Sequence, residues 1–343
     1  MGKKLSEMTL EELWQLFPIF LTEHDQRWAD MYLQQEASLR DLLKSEDILC
    51  ISHIGSTAIN GICAKPIIDI LLEVTTGCDI NDIASLLTEN GWICMSRSAE
   101  RMSFNMGYTE NGFAERVYHL HLRRAGDRDE VYFRDYMNAH PEAAKEYEAL
   151  KLRLWKEYEH DRDGYTAAKA DMVRRYTTMA KLGFMPMDSS RFDEYEEKLF
   201  SILSENMHDI DPGLSSDHDS WYGAVSEGLK RPARRIILIM CGNEVAGFFQ
   251  YYINTDTFMM EEIQLRPEYR HKYGIFRSLF GYLEPLIAQE TKHIKAFAHK
   301  DNTASDSILK RMGLVPVTAD GEYTAYSGSM DDFRRWLRKT DEH

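Results

Sequence analysis

The sequence predicts a protein of the α/β or α+β class with two domains, each built on a mixed β-sheet flanked by helices. The chain has 343 residues, whereas a domain averages about 150. Short apolar or alternating runs typical of strands recur in both halves, between segments with helical spacing. Near residues 181–188 a helical pattern ends where Gly183 and Pro186 interrupt it, so we place the domains at residues 1–182 and 188–343.

Composition narrows the classes of partner. The net charge of −15 argues against affinity for nucleic acid or for an anionic membrane. The chain has no apolar run of about 18 residues, which a membrane-spanning helix needs, and its first residues lack the apolar core of a signal peptide. The five cysteines follow neither a metal-ligand nor a disulfide spacing. We therefore expect a cytoplasmic protein and predict no metal site.

The first half opens with helical periodicity over about residues 6–50. Residues 67–74 are an apolar run, which predicts a buried strand, and a loop of small residues (55–61) precedes it. The predicted buried positions of the opening helical segment are Trp28, Met31, Leu33 and Leu39. The remaining elements are a helix at 79–90, strands at 93–106 and 116–123, a helix at 135–154 broken by Pro141, and a helix at 165–181.

The second half is organised around a strand, a basic turn and a helix. Residues 262–265 alternate between polar and apolar, as a half-buried strand does, and the residues after them break the strand. A basic turn follows, and helical spacing of apolar residues begins at Gly274. The N–H groups at the start of a helix suit a phosphate, and Arg270 and Lys272 add positive charge there.

Other elements of the second half surround this segment. The predicted elements are a helix at 192–207, a polar loop at 209–219, strands at 235–240 and 246–253 joined by a hairpin turn at 241–244, a strand at 293–299, a helix at 302–312 that stops at Gly313, and a last strand at 324–327.

Two segments of the second half resemble the GNAT superfamily of acyl-CoA-dependent N-acetyltransferases. One is Leu265-Arg-Pro-Glu-Tyr-Arg-His-Lys-Tyr-Gly-Ile-Phe-Arg-Ser-Leu279, and the other is Asn302-Thr-Ala-Ser-Asp-Ser-Ile-Leu-Lys-Arg-Met-Gly-Leu314. The resemblance covers about residues 188–338 and implies that acetyl-CoA is the cosubstrate. The strand would contact the pantetheine arm, the basic turn and helix start would hold the pyrophosphate, and Asn302 would bond near the pantetheine. The implied cofactor-binding residues are Ile263, Gln264, Leu265, Arg270, His271, Lys272, Tyr273, Gly274, Ile275, Phe276, Asn302 and Ser305.

Acetyl transfer to an amine needs a base for the amine proton and a donor to the thioester oxyanion. Glu261 or Glu262, on the central strand, is the candidate base, acting directly or through a water molecule. The sequence departs from the family at Leu309, where a tyrosine acid is frequent, and at Phe276, where a small residue is usual. Tyr323 or Tyr326 is the candidate replacement for that acid. We expect a small-molecule amine as the acceptor, bound by loops near residues 209–222 and 319–326.

The first half carries a segment that resembles the GrpB-like family, which is grouped with nucleotidyltransferase-like folds. The segment is His53-Ile-Gly-Ser-Thr-Ala-Ile-Asn-Gly-Ile-Cys-Ala-Lys-Pro-Ile-Ile-Asp69, and shorter matches continue to about residue 180. The nucleotidyltransferase pattern places Gly-Ser on a turn, followed by two acids at i and i+2 on a strand, which can hold Mg²⁺. Gly55, Ser56 and Asp69 fit this pattern. Leu71 replaces the second acid, so magnesium catalysis is poorly supported.

The polar residues of the first half predict an anion pocket. His119 and His121 share one face of a strand. Lys65 and Asp69 lie next to a buried strand, where charged side chains are costly unless they are paired. A nucleotide or another phosphorylated molecule is the expected ligand. The predicted pocket residues are Gly55, Ser56, Lys65, Asp69, His119, His121, Arg134 and Lys151.

Three hypotheses for function follow from the sequence. The favoured one is an N-acetyltransferase in the second domain, with the GrpB-like domain as an accessory. In the second, the first domain is the enzyme and acts on a nucleotide or phosphorylated metabolite through Asp69. In the third, both domains bind ligands without catalysis, and the second domain senses acyl-CoA.

Overall fold

A computed structural model describes residues 3–187, 189–231, 233–270 and 274–338 of the chain. The chain divides into two compact units, Met1–Ala180 and Lys181–His343. Each unit contains a mixed sheet with helices, which confirms the predicted fold class. No helix among the described residues combines the length and the apolar character needed to cross a membrane.

The first unit has a five-stranded sheet. Its helices are α1 (Leu10–Leu16), α2 (Arg27–Leu42), α3 (Ile80–Glu89), α4 (Asp129–Ala139), α5 (Pro141–Glu157) and α6 (Arg162–Lys181), the last of which ends in the second unit. Its strands are β1 (Ile48–Ile54), β2 (Ile68–Val74), β3 (Ile93–Arg97), β4 (Arg101–Thr109) and β5 (Gly112–Arg124). The strand order is β1-β2-β5-β4-β3, and only β2 and β5 pair in parallel.

Strand β2 separates an apolar face from a polar one. Ile68, Ile70, Leu72 and Val74 join the core that contains buried residues of α2 and α3. Since side chains alternate along a strand, Asp69 points to the opposite face. There β2 lies beside β5, with Asp69 opposite His119 and Leu71 opposite His121. The register therefore brings the predicted acid and the two histidines to one side of the sheet.

The second unit has a seven-stranded sheet. Its strands are β6 (Leu182–Met187), β7 (Arg234–Cys241), β8 (Glu244–Asn254), β9 (Thr257–Leu265), β10 (His293–His299), β11 (Val315–Asp320) and β12 (Tyr323–Ser329). Its helices are α7 (Phe192–Met207), α8 (Pro212–Ser216), α9 (His218–Leu229), α10 (Ile275–Leu283), α11 (Thr303–Arg311) and α12 (Met330–Arg338). The strand order is β11-β12-β10-β9-β8-β7-β6.

At the centre of this second sheet, β9 and β10 pair along only part of their length. Strands β9 and β10 are parallel and pair over residues 257–260 and 293–296. Beyond those pairs both strands continue, and no further pairing joins them among the described residues. Near this point β9 has a bulge against β8, because Gln250 pairs with Glu262 while Tyr251 pairs with Met260. Residues 261–265 therefore border the opening on one side.

Several predicted elements of the first half differ from the structure. Residues 48–54 form β1, although helical periodicity was predicted to about residue 50. Trp28 and Leu39 are buried as predicted, but Leu33 is 58% exposed because it lies on the solvent side of α2. The predicted strand at 93–106 is two strands, β3 and β4, which pair with each other.

The second half shows more elements than predicted. Residues 182–187 form the edge strand β6, where Pro186 is tolerated because its missing N–H faces away from the sheet interior. The predicted polar loop at 209–219 contains α8 and the start of α9, since Asp211 and Asp217 cap these helices by accepting from Leu214 N–H and Ser220 N–H. Strand β11 and helix α12 were not predicted.

Candidate functional site

A tight turn after β1 places glycine against the carboxylate of Asp69. Gly55 has φ +70°, and Ser56 begins a 3-10 turn that ends at Ala58. A Cβ atom on Gly55 would collide with Oδ2 of Asp69. The turn therefore requires glycine both for its backbone angle and for the close approach of the acid.

Asp69 begins a chain of hydrogen bonds across the polar face of the sheet. Its Oδ1 lies 3.1 Å from Nδ1 of His119, and Nε2 of His119 lies 2.7 Å from the Tyr108 hydroxyl. Because an ionised carboxylate only accepts, His119 donates from Nδ1 and its Nε2 accepts the tyrosine proton. Nε2 of His121 is 3.9 Å from the same Oδ1. Both ring nitrogens of His119 are thus engaged within the protein.

The charge states of this chain follow from its surroundings. Burial opposes ionisation of Asp69, yet the hydrogen bond from His119 and the nearby His121 ring hold its pKa below the usual range. Burial lowers the pKa of His119, which outweighs the effect of its bond to Asp69. The arrangement is therefore an anionic carboxylate beside a neutral imidazole at neutral pH.

Positively charged side chains gather near Asp69. Arg162, at the start of α6, places Nη1 3.4 Å from the Tyr108 hydroxyl and Nη2 3.5 Å from Nε2 of His119. Burial, together with repulsion from Arg162 and Lys169, lowers the pKa of Lys65 to about 8. Burial also lowers the pKa of Lys169 to about 8. The pocket therefore favours a ligand that brings negative charge.

Two predicted pocket residues have other partners. Arg134 donates from Nη1 to the carbonyl oxygen of His53 at 2.6 Å and pairs with Asp135. Lys151 is buried, donates to the carbonyl oxygen of Cys63 and lies over the Tyr147 ring, with Nζ 4.9 Å from its centroid. Burial and repulsion from Lys169 lower the pKa of Lys151 to about 7. Neither side chain bonds to Asp69 in the described part of the chain.

The first unit offers one carboxylate, not two, at the place where a metal pair would bind. Leu71, at the second acid position, is fully buried. Glu73 lies further along β2 and pairs with Arg128, Nε to Oε2, at 3.1 Å. Among the described residues, the group with metal-ligand spacing is His299, Asp301 and Glu322 in the second unit. Glu322 there already pairs with Lys300 at 2.9 Å.

The two acids on the central strand of the second unit have different partners. Glu261 accepts from Arg234 Nε at 2.6 Å and from Gln250 Nε2 at 3.0 Å. Glu262 accepts from Gln264 Nε2 at 3.2 Å. Burial raises the pKa of Glu262 to about 7, with a further contribution from the charge of Glu261. Glu261 is thus neutralised by an ion pair, whereas Glu262 can take up a proton near neutral pH.

The two candidate tyrosines occupy different surroundings. The Tyr323 hydroxyl donates to Oδ2 of Asp211 at 2.8 Å. Burial, that bond and the charge of Glu262 raise the pKa of Tyr323 to about 12. The Tyr326 side chain is buried and donates to Asp306 at 2.6 Å. Of the two, only Tyr323 has Glu262 among the charges that set its pKa.

The predicted phosphate-binding turn is described in part. Gly274 is the N-cap of α10 in the left-handed conformation (φ 60°, ψ 21°), and no described side chain caps the helix. The ring of Phe276 packs toward Phe280, with centroids 6.4 Å apart, and Ile275 is buried in the core. The predicted residues His271, Lys272 and Tyr273 lie outside the described residues.

Other predicted cofactor residues make bonds within the second unit. Arg270 donates from Nε to the carbonyl oxygen of Leu265 at 3.1 Å. Asn206 on α7 donates to the same carbonyl at 2.9 Å and to Gln264 Oε1 at 2.7 Å. Asn302 caps α11, since its Oδ1 accepts from the N–H of Ser305 at 3.0 Å. The Leu265 carbonyl is therefore occupied, whereas Ile263 borders the opening between β9 and β10.

The predicted pocket of the first unit did not include Tyr108, Arg162 or Lys169, whereas Asp211 of the second unit lies in the loop predicted to bind the acceptor. Arg162, Tyr165 and Lys169 follow an i, i+3, i+7 spacing, which places them on one face of α6. That spacing was a usable signal. Tyr108 gave no such signal, because it meets His119 only through the pairing of β4 with β5 and contacts Arg162 54 positions away in the chain.

Comparison with known proteins relates the chain to one family over its first half. Residues 18–179 match the family model described as GrpB protein. The chain is 34% identical over 161 residues to glutamate-rich protein GrpB of Alkalihalophilus pseudofirmus, which covers 45% of this chain and 91% of that protein. It is 28% identical over 184 residues to the UPF0157 protein YqkA of Bacillus subtilis, covering 52% of each, so the chain spans about half the length of that relative.

A similar solved structure is the PaiA N-acetyltransferase of Thermoplasma acidophilum in complex with coenzyme A. It is 12% identical, with a TM-score of 0.37, and covers 43% of this chain and 98% of that chain.

Proposed function

The chain belongs to the GrpB family through its first half, and we propose that its second unit is an acyl-CoA-dependent N-acetyltransferase. The proposed reaction moves an acetyl group from acetyl-CoA to a small-molecule amine. The observation that carries the proposal is Glu262, a carboxylate whose pKa is raised to about 7 and which borders the opening between β9 and β10. A base with a pKa near the working pH is the most effective kind for this chemistry.

The opening between β9 and β10 supports a binding place for the pantetheine arm. An extended, amide-rich chain can take the place of a neighbouring strand where pairing has stopped. Ile263 lies on β9 beyond the last pair with β10, so its position matches the role that the resemblance implies. The bulge near Glu261 further separates this part of β9 from regular pairing.

The start of α10 supports a binding place for the pyrophosphate. Helix N-termini attract anions through unpaired N–H groups and the helix dipole. Gly274 lacks a side chain and takes the left-handed conformation, which lets an anion approach the backbone closely. Arg270 is tied to the Leu265 carbonyl through Nε, and its terminal nitrogens can contact a phosphate.

The proposed step balances as a simple acyl transfer. The nitrogen of a neutral amine attacks the thioester carbonyl, the carbon–sulfur bond breaks, and Glu262 takes the proton that the nitrogen loses. Tyr323 keeps its proton at neutral pH, because its pKa is raised to about 12. It can therefore give that proton to the departing sulfur, and Glu262 returns a proton to the tyrosine through solvent.

The charges around Tyr323 favour a basic amine as acceptor. Asp211 accepts a hydrogen bond from the Tyr323 hydroxyl, and Asp211, Glu262 and Glu322 all raise the pKa of Tyr323. A cluster of acids attracts a positively charged molecule, and the bound molecule offsets the negative charge of the cluster. Glu262 can then remove one proton from the bound ammonium form and release it to solvent before attack, so that it is free to take the second proton that the nitrogen loses.

Acetyl transfer by the full-length chain to a panel of diamines and amino acids tests the proposal. We expect Glu262→Gln to lower kcat about 100-fold or more while acetyl-CoA affinity stays unchanged. The matched control is Glu290→Gln, which changes an exposed acid of the same unit. Arg270→Glu should weaken acetyl-CoA binding. If no acetyl-CoA binds, the proposal is wrong; binding without transfer to any amine would favour the alternative of an acyl-CoA sensor.

A further inference from the structure

Two ammonium groups of the first unit have no polar partner among the residues that the structure describes. Lys65 and Lys169 are both half-buried. Neither forms a hydrogen bond or an ion pair within the described ranges, and Lys169 instead lies over the Tyr165 ring, with Nζ 4.1 Å from its centroid. A partly desolvated ammonium group without an acceptor is unfavourable. Two such groups in one unit indicate a common anionic partner.

A third cation strengthens this imbalance of charge. The guanidinium of Arg162 lies within 3.5 Å of His119 Nε2, and its charge lowers the pKa of both Lys65 and Lys169. Like charges repel at short range unless an anion lies between them. The three side chains come from a loop and from α6, so the fold brings them together.

The acids near these cations do not balance them. Asp69 is one carboxylate and is already engaged by His119. Glu148 pairs with Lys145 at 2.8 Å and also accepts from the Cys63 N–H. Glu73 pairs with Arg128. The site around Asp69 therefore carries more positive than negative charge.

The same residues make a poor site for a pair of magnesium ions. Mg²⁺ is usually held by one or two carboxylates together with ligand phosphates and waters in octahedral geometry, and paired metals need more acids. Here the position two residues after Asp69 is the buried Leu71. The cationic side chains can instead balance the negative charge of a phosphoryl group, which is the role of the metal ion in other sites.

We propose that Lys65, Lys169 and Arg162 bind a phosphoryl group of a small ligand directly, with no bridging metal ion, beside Asp69. Phosphoryl oxygens accept several charge-assisted hydrogen bonds, and guanidinium and ammonium groups are their usual partners. Asp69 only accepts, so it faces a donor group of the ligand and not the phosphoryl oxygens. This site is separate from the proposed acetyl-CoA site and does not depend on it.

Titration calorimetry of the full-length chain in EDTA tests this site with pyrophosphate, ATP and glucose 6-phosphate. We expect saturable binding of at least one of them without Mg²⁺. Lys65→Gln and Lys169→Gln should each weaken it about tenfold or more, because each removes a charge-assisted contact. Lys169→Arg keeps the charge and should retain most of the affinity. Tighter binding of ATP would indicate a nucleotide, and tighter binding of glucose 6-phosphate would indicate a sugar phosphate; either ranking supports the site.

Matched variants separate this site from the second unit. Lys44→Gln changes an exposed lysine of the first unit and should leave binding unchanged. Arg270→Glu should leave it unchanged too, and acetyl-CoA should still bind to Lys169→Gln. The proposal is overturned if none of the three ligands binds in EDTA, if binding needs Mg²⁺, or if both glutamine variants bind as well as the original chain. Thermal unfolding confirms that each variant is folded.

Discussion

Asp69 in the first unit and Glu262 in the second lie on interior strands of their sheets, yet their pKa values move in opposite directions. Burial by itself acts to raise the pKa of both acids. At Asp69 the hydrogen bond from His119 and the nearby His121 ring outweigh burial, and the pKa falls below its usual range. At Glu262 burial outweighs the hydrogen bond from Gln264, the charge of Glu261 adds to the effect of burial, and the pKa rises to about 7. Burial alone therefore does not assign a role; the hydrogen-bond donors around the acid do.

This difference separates a fixed charge from a working base. Asp69 remains an anion over the physiological range and orients His119 and its neighbours. Glu262 exchanges a proton near neutral pH, which is what general base catalysis requires. Four measurements test this difference and the residues around the two acids.

The largest expected effect is the pH dependence of acetyl transfer. Because the pKa of Glu262 is about 7, the base is lost as pH falls, and kcat/KM should drop about tenfold for each pH unit below that value. At pH 5 the loss should approach about 100-fold. The residual activity of Glu262→Gln should be flat over the same range. If kcat/KM of Glu262→Gln still falls as the pH is lowered, the base is a different residue.

The second measurement compares two glycines with the same backbone angle. Gly55 has φ +70° and Gly61 has φ +69°. A Cβ on Gly55 meets Asp69, whereas nothing lies within 4 Å of a Cβ on Gly61. Gly55→Ala should lower the free energy of unfolding by about 3 kcal/mol, from backbone strain plus collision. Gly61→Ala should cost about 1 kcal/mol, from strain alone.

Chemical denaturation of the two variants measures both values. Equal losses would show that Asp69 moves away at little cost, and that the close approach of Gly55 to the acid is not a constraint of the site.

The third measurement tests Asp69 as a fixed charge. Its folded pKa is below the unfolded one, so its contribution to stability is present above the unfolded pKa of about 3.9 and is lost as pH falls through the folded pKa. Asp69→Asn should lower the free energy of unfolding by about 2 kcal/mol at pH 7. The difference between the two proteins should narrow below about pH 4. A difference that does not change with pH would show that the charge of Asp69 is not what stabilises the fold.

The smallest expected effect is the pH dependence of anion binding in the first unit. Lys65 and Lys169 have pKa values of about 8, so they lose charge between pH 7 and 9, and sulfate affinity should fall about tenfold. Sulfate is the probe because it does not titrate in this range. The sulfate affinity of Lys169→Arg should fall less steeply over the same pH range. Arg162 and Asp69 act on both lysines, and Lys169 is also near Lys151 and lies over the Tyr165 ring.

Sulfate affinity that is constant from pH 7 to 9 would show that the lysines do not contact the anion. A steep fall that Lys169→Arg leaves unchanged would assign the titration to Lys65.

Short local patterns in the sequence predicted much of the fold. Strand β2, the hairpin between β7 and β8, and α11 with its stop at Gly313 all follow from local spacing and turn residues. The misses have local causes. Asp211 and Asp217 read as loop residues because acids are frequent in loops, yet here they cap helices. β1 follows a helix so closely that its start was read as helical.

The candidate sites were predicted less completely. Gly55, Asp69 and His119 were identified from a motif, and the structure brings them into contact. Arg134 was placed in the same pocket, but it bonds to His53 and Asp135 instead. Both Glu261 and Glu262 were candidate bases, and their positions in the sequence did not distinguish between them. Arg234 makes the difference, and it lies 27 positions from Glu261 in the chain.

The sequence by itself determined the two-sheet architecture, the strand that carries Asp69, and the family resemblance of the first half. Those features depend on the spacing of apolar residues and on short motifs, which act over a few positions. Only the tertiary structure decided which acid holds its proton, which lysines lack a partner, and where β9 parts from β10. The pKa of a buried group depends on donors and charges within a few ångströms, and folding brings these from distant parts of the chain.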